Sequence, residues 1–212
     1  MPIFILVAIT LRLTGEGEII FLQERVGKNK KLFKLFKFST MLKASPALGS
    51  GTVTLKNDPR VLPFGKFLRK TKINELPQLV NVFLGHMSIV GPRPQTQRCF
   101  DAFSIKHQAI ISQVKPGLSG IGSIIFRDEE NILADHKRSI VFYDQVIAPY
   151  KGSIESWYIS HQNTYNYFLI ILLTISVVFF PYSSMVWRFF PDLPMPPDQL
   201  RNALNYQLRK FI

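Results

Sequence analysis

Two apolar runs limit what this chain can fold into, because each is too short to cross a bilayer as a helix. The first covers residues 2–11, just before Arg12, and the second covers residues 168–180, just before Pro181. A membrane-spanning helix needs about 20 predominantly apolar residues. We therefore expect the first run to dip into one leaflet, with a buried core helix as the alternative, and the second to form a core or interfacial helix.

The chain is strongly basic as well as apolar. Its 212 residues include 26 Lys and Arg but 14 Asp and Glu, a formal net charge of +12, and 47% of the residues are hydrophobic. This combination favours a polyanionic partner and fits an anionic membrane surface better than nucleic acid. The single cysteine, Cys99, cannot form an internal disulfide, so we expect a buried thiol in a protein that lies in or faces the cytosol.

Residues 24–38 have the pattern of a basic β-hairpin. A Gly-Lys-Asn turn is followed by Phe33, Leu35 or Phe36, and Phe38, which alternate with lysines. Such a ribbon would point its aromatic side chains inward and its cations outward, while a solvated basic surface is the alternative. Residues 44–60 are rich in Ser, Gly, Pro and Thr and predict a mobile loop.

The stretch TKINELPQLVNVF at residues 71–83 raises the question of a helix cap or an active site. Asn74 is a favoured N-cap residue and Glu75 suits a first helical turn, and the apolar residues that follow have helical spacing up to Gly85. However, cations surround this carboxylate in the sequence, which indicates a site for phosphate groups and a divalent metal: Arg69, Lys70, Lys72 and Arg93.

Three further segments complete the pattern. Pro92 and Pro94 restrain the backbone on either side of Arg93, so this cation has little entropy to lose on binding. Residues 115–122 are a glycine-rich turn that would let the backbone approach phosphate oxygens, and a strand-like apolar run precedes Arg127. Residues 134–166 are polar and predict helix, and the proline-rich tail predicts an appended arm.

Six motifs, in order, resemble the bacterial sugar transferase family of monotopic phosphoglycosyl transferases. They are QERVG at 23–27, FKFSTM at 36–41, LRKT at 68–71, ELPQLVN at 75–81, GHMSIVGPRP at 85–94 and VKPGLSG at 114–120. The resemblance runs from about residue 2 to about residue 180. It implies transfer of a phosphosugar from a UDP-sugar to polyprenol (undecaprenyl) phosphate with Mg²⁺ and release of UMP, the step that begins glycan assembly.

The resemblance also implies roles for individual residues. In the family an Asp-Glu pair opens the helix, the Asp attacks the sugar-bearing phosphate, and the Glu helps hold the metal. The matching catalytic positions here are Asn74 and Glu75, with Glu75 as the metal ligand. The positions that match the family's cations, and so would bind the substrate phosphates, are Lys37, Arg69, Arg93 and Arg127.

Three residues depart from the family pattern. Asn74 stands where the family has the attacking Asp, and a neutral amide is a much poorer nucleophile than a carboxylate. Ser39 replaces the usual Arg, and His86 replaces the usual Asp and is expected in a turn or on the surface. A catalytically impaired homologue that binds a nucleotide-sugar or organises glycosyltransferases is therefore the alternative to an active enzyme.

The resemblance sets the expected architecture. We expect an α+β fold, mostly helical with a small β-hairpin, and a monotopic association with the membrane. Residues 1–14 would be a re-entrant helix whose first half is missing, residues 15–181 the catalytic domain, and residues 182–212 the C-terminal arm. The expected place is the cytoplasmic face of a bacterial inner membrane, with membrane lipid and downstream glycosyltransferases as partners and no nucleic acid.

Overall fold

The computed structural model describes residues 2–48, 58–134, 139–180 and 184–206. This part of the chain forms four short strands, β1 (Ile20–Val26), β2 (Leu32–Phe38), β3 (Ser88–Val90) and β4 (Gly117–Ser119). Its helices are α1 (Pro2–Thr14), α2 (Pro63–Lys70), α3 (Gln78–Phe83), α4 (Gln97–Asp101), α5 (Ile105–Ile111), α6 (Ile121–Ile125), α7 (Glu129–Ala134), α8 (Ser139–Phe142), α9 (Ala148–Ser160), α10 (Thr164–Phe179), α11 (Met185–Phe189) and α12 (Asp198–Arg201). This mostly helical content with two small two-stranded sheets confirms the predicted α+β class.

Strands β1 and β2 form the predicted antiparallel hairpin. Gln23 pairs with Leu35, and the turn between the strands includes Asn29 at a φ of 56°, a left-handed conformation that Asn tolerates well. Leu35 and Phe38 are buried as expected. The prediction that all cations face outward is wrong for Lys37, which is partly buried, because its face of the hairpin packs against the rest of the protein.

Helix α1 buries a narrow stripe and exposes the rest of its apolar surface. Val7 and Leu11 pack with Phe38 of the hairpin and Leu68 of α2. Phe4 is partly buried beside them, and five other large apolar side chains are 43–78% exposed: Ile3, Ile5, Leu6, Ile9 and Leu13. The alternative of a buried core helix therefore holds only for this stripe, and most of the apolar surface of α1 is exposed.

Within the described residues, none of the helices has both the length and the apolar character needed to cross a membrane.

Strands β3 and β4 are parallel and bring two glycine-containing motifs into contact. Ser88 pairs with Gly117, and the N–H of Gly117 donates to the carbonyl of Pro92 at 2.8 Å. A Cβ atom on Gly117 would lie 2.1 Å from the backbone nitrogen of Gly91, so a side chain there would force the strands apart. This glycine accommodates a neighbouring backbone of the same chain. The run before Arg127, predicted to be strand-like, is helix α6.

Helices α9 and α10 carry much of the main core. In the described part of residues 134–166 the helical prediction is confirmed by α8, a π-helical turn at Tyr143–Ile147, α9 and the start of α10, while residues 135–138 lie outside the described residues. Helix α10 is capped by Asn163, whose side chain accepts from the N–H of Asn166 at 2.8 Å. One face of α10 is buried and the opposite face is exposed and apolar, with Phe168, Leu172, Ile175 and Phe179 at 53–72% exposure.

The described part of the C-terminal arm packs onto this core. Leu193, Leu200 and Leu204 are buried within it. The hydroxyl of Tyr150 donates to the carbonyl of Pro194 at 2.8 Å. Residues 49–57, most of the predicted mobile loop, lie outside the described residues.

Candidate active site

The hairpin supplies two cations from one of its faces. Successive strand residues alternate between faces, and Phe21 pairs with Lys37, so Arg25 and Lys37 share a face. The Nη1 of Arg25 donates to the carbonyl of Pro94 at 3.1 Å, and the N–H of Val26 donates to the carbonyl of Gln95 at 2.9 Å. The hairpin is thus fastened to the GPRP segment.

The Asn74–Glu75 pair lies in a single 3-10 turn, Ile73–Glu75, ahead of helix α3. Lys72 begins this turn at a φ of 60°. Of the two interpretations of this pair, the helix cap does not hold for Asn74, which lies inside the 3-10 turn. Helix α3 begins at Gln78, after Pro77, with no capping hydrogen bond from a side chain. Left-handed Lys72 separates this turn from α2, and Leu76 and Pro77 lie between the turn and α3.

Asn81 attaches this segment to the hairpin. Its side chain is fully buried, its Oδ1 accepts from the N–H of Phe36 at 3.0 Å, and its Nδ2 donates to the carbonyl of Lys34 at 2.8 Å. The amide therefore pairs with the free edge of β2 as another strand would. Residues 73–75 are consequently held against the same hairpin that carries Lys37.

An ion pair joins Glu75 to the GPRP motif. The Nη2 of Arg93 lies 3.2 Å from Oε1 of Glu75, and the two side chains are 34% and 14% exposed. The backbone N–H of Arg93 donates to Oε1 of Glu155 on α9 at 3.1 Å. Arg93 is thus held at both its main chain and its guanidinium.

The site concentrates positive charge around Glu75. Burial alone would raise the pKa of Glu75, but Arg93, Lys37 and Lys72 outweigh it and hold that pKa well below its usual range. Burial lowers the pKa of Lys37 to about 7; the Glu75 charge opposes this shift, and the nearby cations Arg25, Arg93 and Arg69 add to it. Glu75 is ionised at neutral pH, and the surrounding cations would gain from a polyanionic ligand.

Arg69 and Arg127 lie at one edge of this cluster. Arg69 forms an ion pair with Glu130 of α7 and also acts electrostatically on Lys37. Arg127 acts on Lys72, and its Nη1 is sealed from solvent with no hydrogen-bond partner among the described residues. The predicted cations therefore converge on one region, with Lys37 and Arg93 nearest Glu75.

Asn74 lies beside this charge without pairing to it. The residue is 8% exposed, and its Oδ1 is buried with no hydrogen-bond partner among the described residues. A buried carbonyl oxygen without a donor is unfavourable unless a ligand or water satisfies it. In the chain this oxygen lies one residue before Glu75, so a ligand bound at Glu75 would be the natural partner for it.

The oxygen atoms present fit Mg²⁺ only together with a substrate. Within the described part of the chain, no cluster of three or more His, Cys, Asp and Glu side chains could hold a metal ion. Mg²⁺ is commonly held by one or two carboxylates, substrate phosphates and water. Glu75 and the Oδ1 of Asn74 match that donor chemistry. The neighbouring cations would repel a metal ion, so a negatively charged substrate has to bind with it.

Several residues of the site were not assigned by the sequence. Arg25 lies in the QERVG motif but was grouped with the basic hairpin surface, and Lys72 was counted only as one cation near the turn. Glu155 lies in a polar helical stretch with no local signal. Cys99 is buried as predicted, and His86 is exposed as predicted, beside the ring of Phe33.

The sequence is similar to several known sugar transferases. The chain is 37% identical over 128 residues to an undecaprenyl-phosphate glucose phosphotransferase of Komagataeibacter xylinus, covering 58% of this chain. It is 36% identical to a UDP-glucose:undecaprenyl-phosphate glucose-1-phosphate transferase of Escherichia coli (strain K12), covering 66%, and 32% identical to a galactosyl transferase CpsE of Streptococcus agalactiae serotype III (strain NEM316), covering 76%. The matched regions are 24%, 31% and 35% of these relatives, respectively, so the chain spans about a third of their length or less.

A family model places the whole site within one match. The model for bacterial sugar transferase covers residues 1–181, which include the hairpin, the Asn74–Glu75 turn and the GPRP motif. That match extends over much more than half of the chain. The protein therefore belongs to the bacterial sugar transferase family.

Proposed function

We propose that the protein transfers a phosphosugar from a UDP-sugar to membrane polyprenol phosphate, giving a polyprenyl diphosphosugar and UMP. The observation that carries this proposal is the ion pair of Glu75 with Arg93 inside a cluster of cations drawn from four sequence motifs. Relatives named for undecaprenyl-phosphate and UDP-sugar chemistry support the substrate classes. The reaction would be the first membrane step of glycan assembly.

The cations would bind the phosphate groups. A nucleotide-sugar diphosphate carries its negative charge on phosphate oxygens, and phosphoryl transfer is accelerated by fixed cations that stabilise charge in the transition state. Lys37 and Arg93 lie nearest Glu75, and Arg69 and Arg127 extend the positive region toward α7. Mg²⁺ held by Glu75 and the Asn74 oxygen would neutralise further phosphate charge.

Two routes of transfer are compatible with an amide at residue 74. In the first, a carboxylate oxygen of Glu75 attacks the sugar-bearing phosphorus, the bond to the bridging oxygen breaks and UMP leaves. Polyprenol phosphate then displaces Glu75 from the same phosphorus. In the second, polyprenol phosphate attacks directly, and Asn74 positions the substrate through its unpaired Oδ1.

The exposed apolar faces of α1 and α10 support a place at the membrane surface. Five large apolar side chains of α1 and six of α10, including Tyr165 and Val178, are exposed, which suits insertion into one leaflet. The net charge of +12 suits the anionic cytoplasmic face of a bacterial inner membrane. Membrane lipid and the glycosyltransferases that extend the product are the proposed partners at that surface.

Release of UMP tests this function. Membranes containing the parent chain, Asn74→Asp or Glu75→Ala are incubated with polyprenol phosphate, Mg²⁺ and labelled UDP-sugars. We expect UMP from the parent chain and little from Glu75→Ala. Label retained on the protein would identify the covalent route, and turnover without such label would identify direct attack.

A second function is favoured by Asn74 itself. An amide at the position of the family's attacking carboxylate fits a catalytically impaired homologue that binds a nucleotide-sugar or organises glycosyltransferases. Tight UDP-sugar binding without UMP release, together with strong release from Asn74→Asp, would establish this function and reject catalysis by the parent chain.

A further inference from the structure

Glu155 reaches the candidate active site from the core side, although it lies 62 residues from Arg93 in the sequence. It belongs to the middle of α9 and is 3% exposed. Its Oε1 accepts a hydrogen bond of 3.1 Å from the backbone N–H of Arg93. Pro92 and Pro94 on either side have no N–H. The N–H of Arg93 is therefore the one main-chain donor of the Pro-Arg-Pro segment, and Glu155 accepts from it.

Helix α6 leaves room for this carboxylate. A Cβ atom on Gly122 would lie 2.2 Å from Oε1 of Glu155 and 2.9 Å from its Cδ, both well inside van der Waals contact. Gly122 has an ordinary helical location, in α6, so a turn or a left-handed backbone does not account for a glycine there. The missing side chain at residue 122 is what allows Glu155 to reach the backbone of Arg93.

A carboxylate in this position is unfavourable for stability by itself. Burial raises the pKa of Glu155 to about 7. The hydrogen bond from the N–H of Arg93 and the positive charges of Lys151 and Arg93 oppose this shift. Its Oε2 is buried without a hydrogen-bond partner among the described residues. Lys151 is committed elsewhere, to Glu129 at 2.7 Å. Since a buried carboxyl group with one oxygen left unpaired is costly, stability does not explain its presence.

We propose that Glu155 is a positioning residue: it fixes the main chain of Arg93 and thereby places the guanidinium that contacts Glu75 and binds a diphosphate. The diphosphate is the ligand class of the proposed function, on which this inference rests. The geometry is a continuous chain of contacts from Gly122 through Glu155 and Arg93 to Glu75. A displacement of about 1 Å in a positioned group can lower a reaction rate by about a hundredfold.

The test measures inorganic pyrophosphate binding by isothermal titration calorimetry on the full-length protein, so that it needs no turnover. Arg93→Ala gives the loss expected when the guanidinium is absent. Glu155→Ala removes the acceptor, Glu155→Gln keeps an acceptor oxygen of the same reach, and Gly122→Ala pushes the carboxylate away. Ile154→Val, a buried change in the same helix, controls for general loosening of α9, and thermal unfolding verifies that each variant is folded.

We expect Glu155→Ala and Gly122→Ala each to weaken pyrophosphate binding about tenfold, while Glu155→Gln and Ile154→Val stay within about threefold of the parent chain. In a Glu155→Ala background, Gly122→Ala should have no further effect, because the group it displaces is gone. The proposal is overturned if the losses of Glu155→Ala and Gly122→Ala add up in the double variant, or if Glu155→Gln loses as much affinity as Glu155→Ala. It is also overturned if Arg93→Ala or Glu155→Ala binds pyrophosphate as the parent chain does, or if the parent chain does not bind it.

The positioning role and the proposed function fail separately. If the parent chain and Asn74→Asp release no UMP from any UDP-sugar while the pyrophosphate cycle behaves as expected, the proposed reaction is rejected and the role of Glu155 stands. If UMP is released but Glu155→Ala binds pyrophosphate as the parent chain does, the reaction stands and the role of Glu155 is rejected.

Discussion

The guanidinium of Arg93 lies 3.2 Å from the carboxylate of Glu75, and this ion pair joins two motifs that are 18 residues apart. The partners come from a 3-10 turn and from a segment between two prolines, neither of which depends on a long helix. The charges of Lys37 and Lys72 act on the same carboxylate. The site is therefore a positively charged centre built around one ionised side chain.

Replacing Arg93 with Lys should weaken UDP binding about tenfold. An ammonium keeps the charge but cannot make the paired, planar contacts of a guanidinium with a carboxylate or phosphate. The measurement is calorimetric titration with UDP. Arg98→Lys is the matched control. Arg98 forms its ion pair with Asp144, at 2.9 Å, and is not among the charges that act on Glu75, so this variant should bind UDP as the parent chain does. Equal losses in both variants would contradict a specific role for Arg93.

Binding of UDP at about pH 8 should take up a proton at Lys37. Burial lowers the pKa of Lys37 to about 7, so the free protein holds this side chain largely neutral at that pH. A bound diphosphate favours the ammonium and raises its pKa again, so affinity should fall as pH rises from about 7 to 9. Titrations in buffers of different ionisation enthalpy measure the uptake. Lys37→Arg stays charged, and an equal uptake in that variant would exclude Lys37 as its source.

Asn81→Ala should lower the free energy of unfolding by about 2 kcal/mol, because it leaves the N–H of Phe36 and the carbonyl of Lys34 without their partners. Asn81→Asp should also destabilise, because a carboxylate can accept from Phe36 but cannot donate to Lys34. Urea denaturation of the purified chain measures both. A stable Asn81→Asp variant would contradict the need for the donor.

Gly117→Ala should destabilise the protein by about 3 kcal/mol or more, because the new methyl group would meet the backbone of Gly91 at 2.1 Å. Gly85→Ala serves for comparison. Its Cβ would have a contact of 3.5 Å to Lys115, and the cost there is about 1 kcal/mol, from the φ of 77°. Thermal unfolding of the two variants should reproduce this order, and a reversed order would show that β3 and β4 tolerate separation.

The double substitution Leu6→Gln and Ile9→Gln should lower partitioning onto vesicles of anionic phospholipid about tenfold or more. These α1 side chains are 66% and 54% exposed. Each substitution removes the favourable free energy of burying an apolar side chain in lipid. Co-sedimentation with vesicles measures the bound fraction. Ile105→Gln on α5, where the side chain is 84% exposed, is the control and should partition as the parent chain does. Unchanged partitioning of the double variant would remove α1 from the membrane contact.

The sequence was informative wherever a local physical rule decides the structure. Alternation and a Gly-Lys-Asn turn predicted the hairpin, and helical spacing up to Gly85 predicted α3. Local rules did not decide Asn74, for which a helix cap was one of two interpretations; it lies within a 3-10 turn, and its Oδ1 has no hydrogen-bond partner among the described residues. The left-handed Lys72 lies between α2 and that turn, and Pro77 lies between the turn and α3, a combination that propensity alone does not describe.

The sequence by itself determined the family motifs, the basic and apolar character and the identity of the charged residues around residue 75. Tertiary structure decided which of them meet. Apart from the family resemblance, nothing distinguishes Lys37 from the other lysines of the hairpin until register and packing bring its face near Glu75. Glu155 has no local signal until α9 brings it to the backbone of Arg93. The physical reason is that burial and charge pairing depend on residues far apart in the chain, whereas turns and periodicity depend on near neighbours.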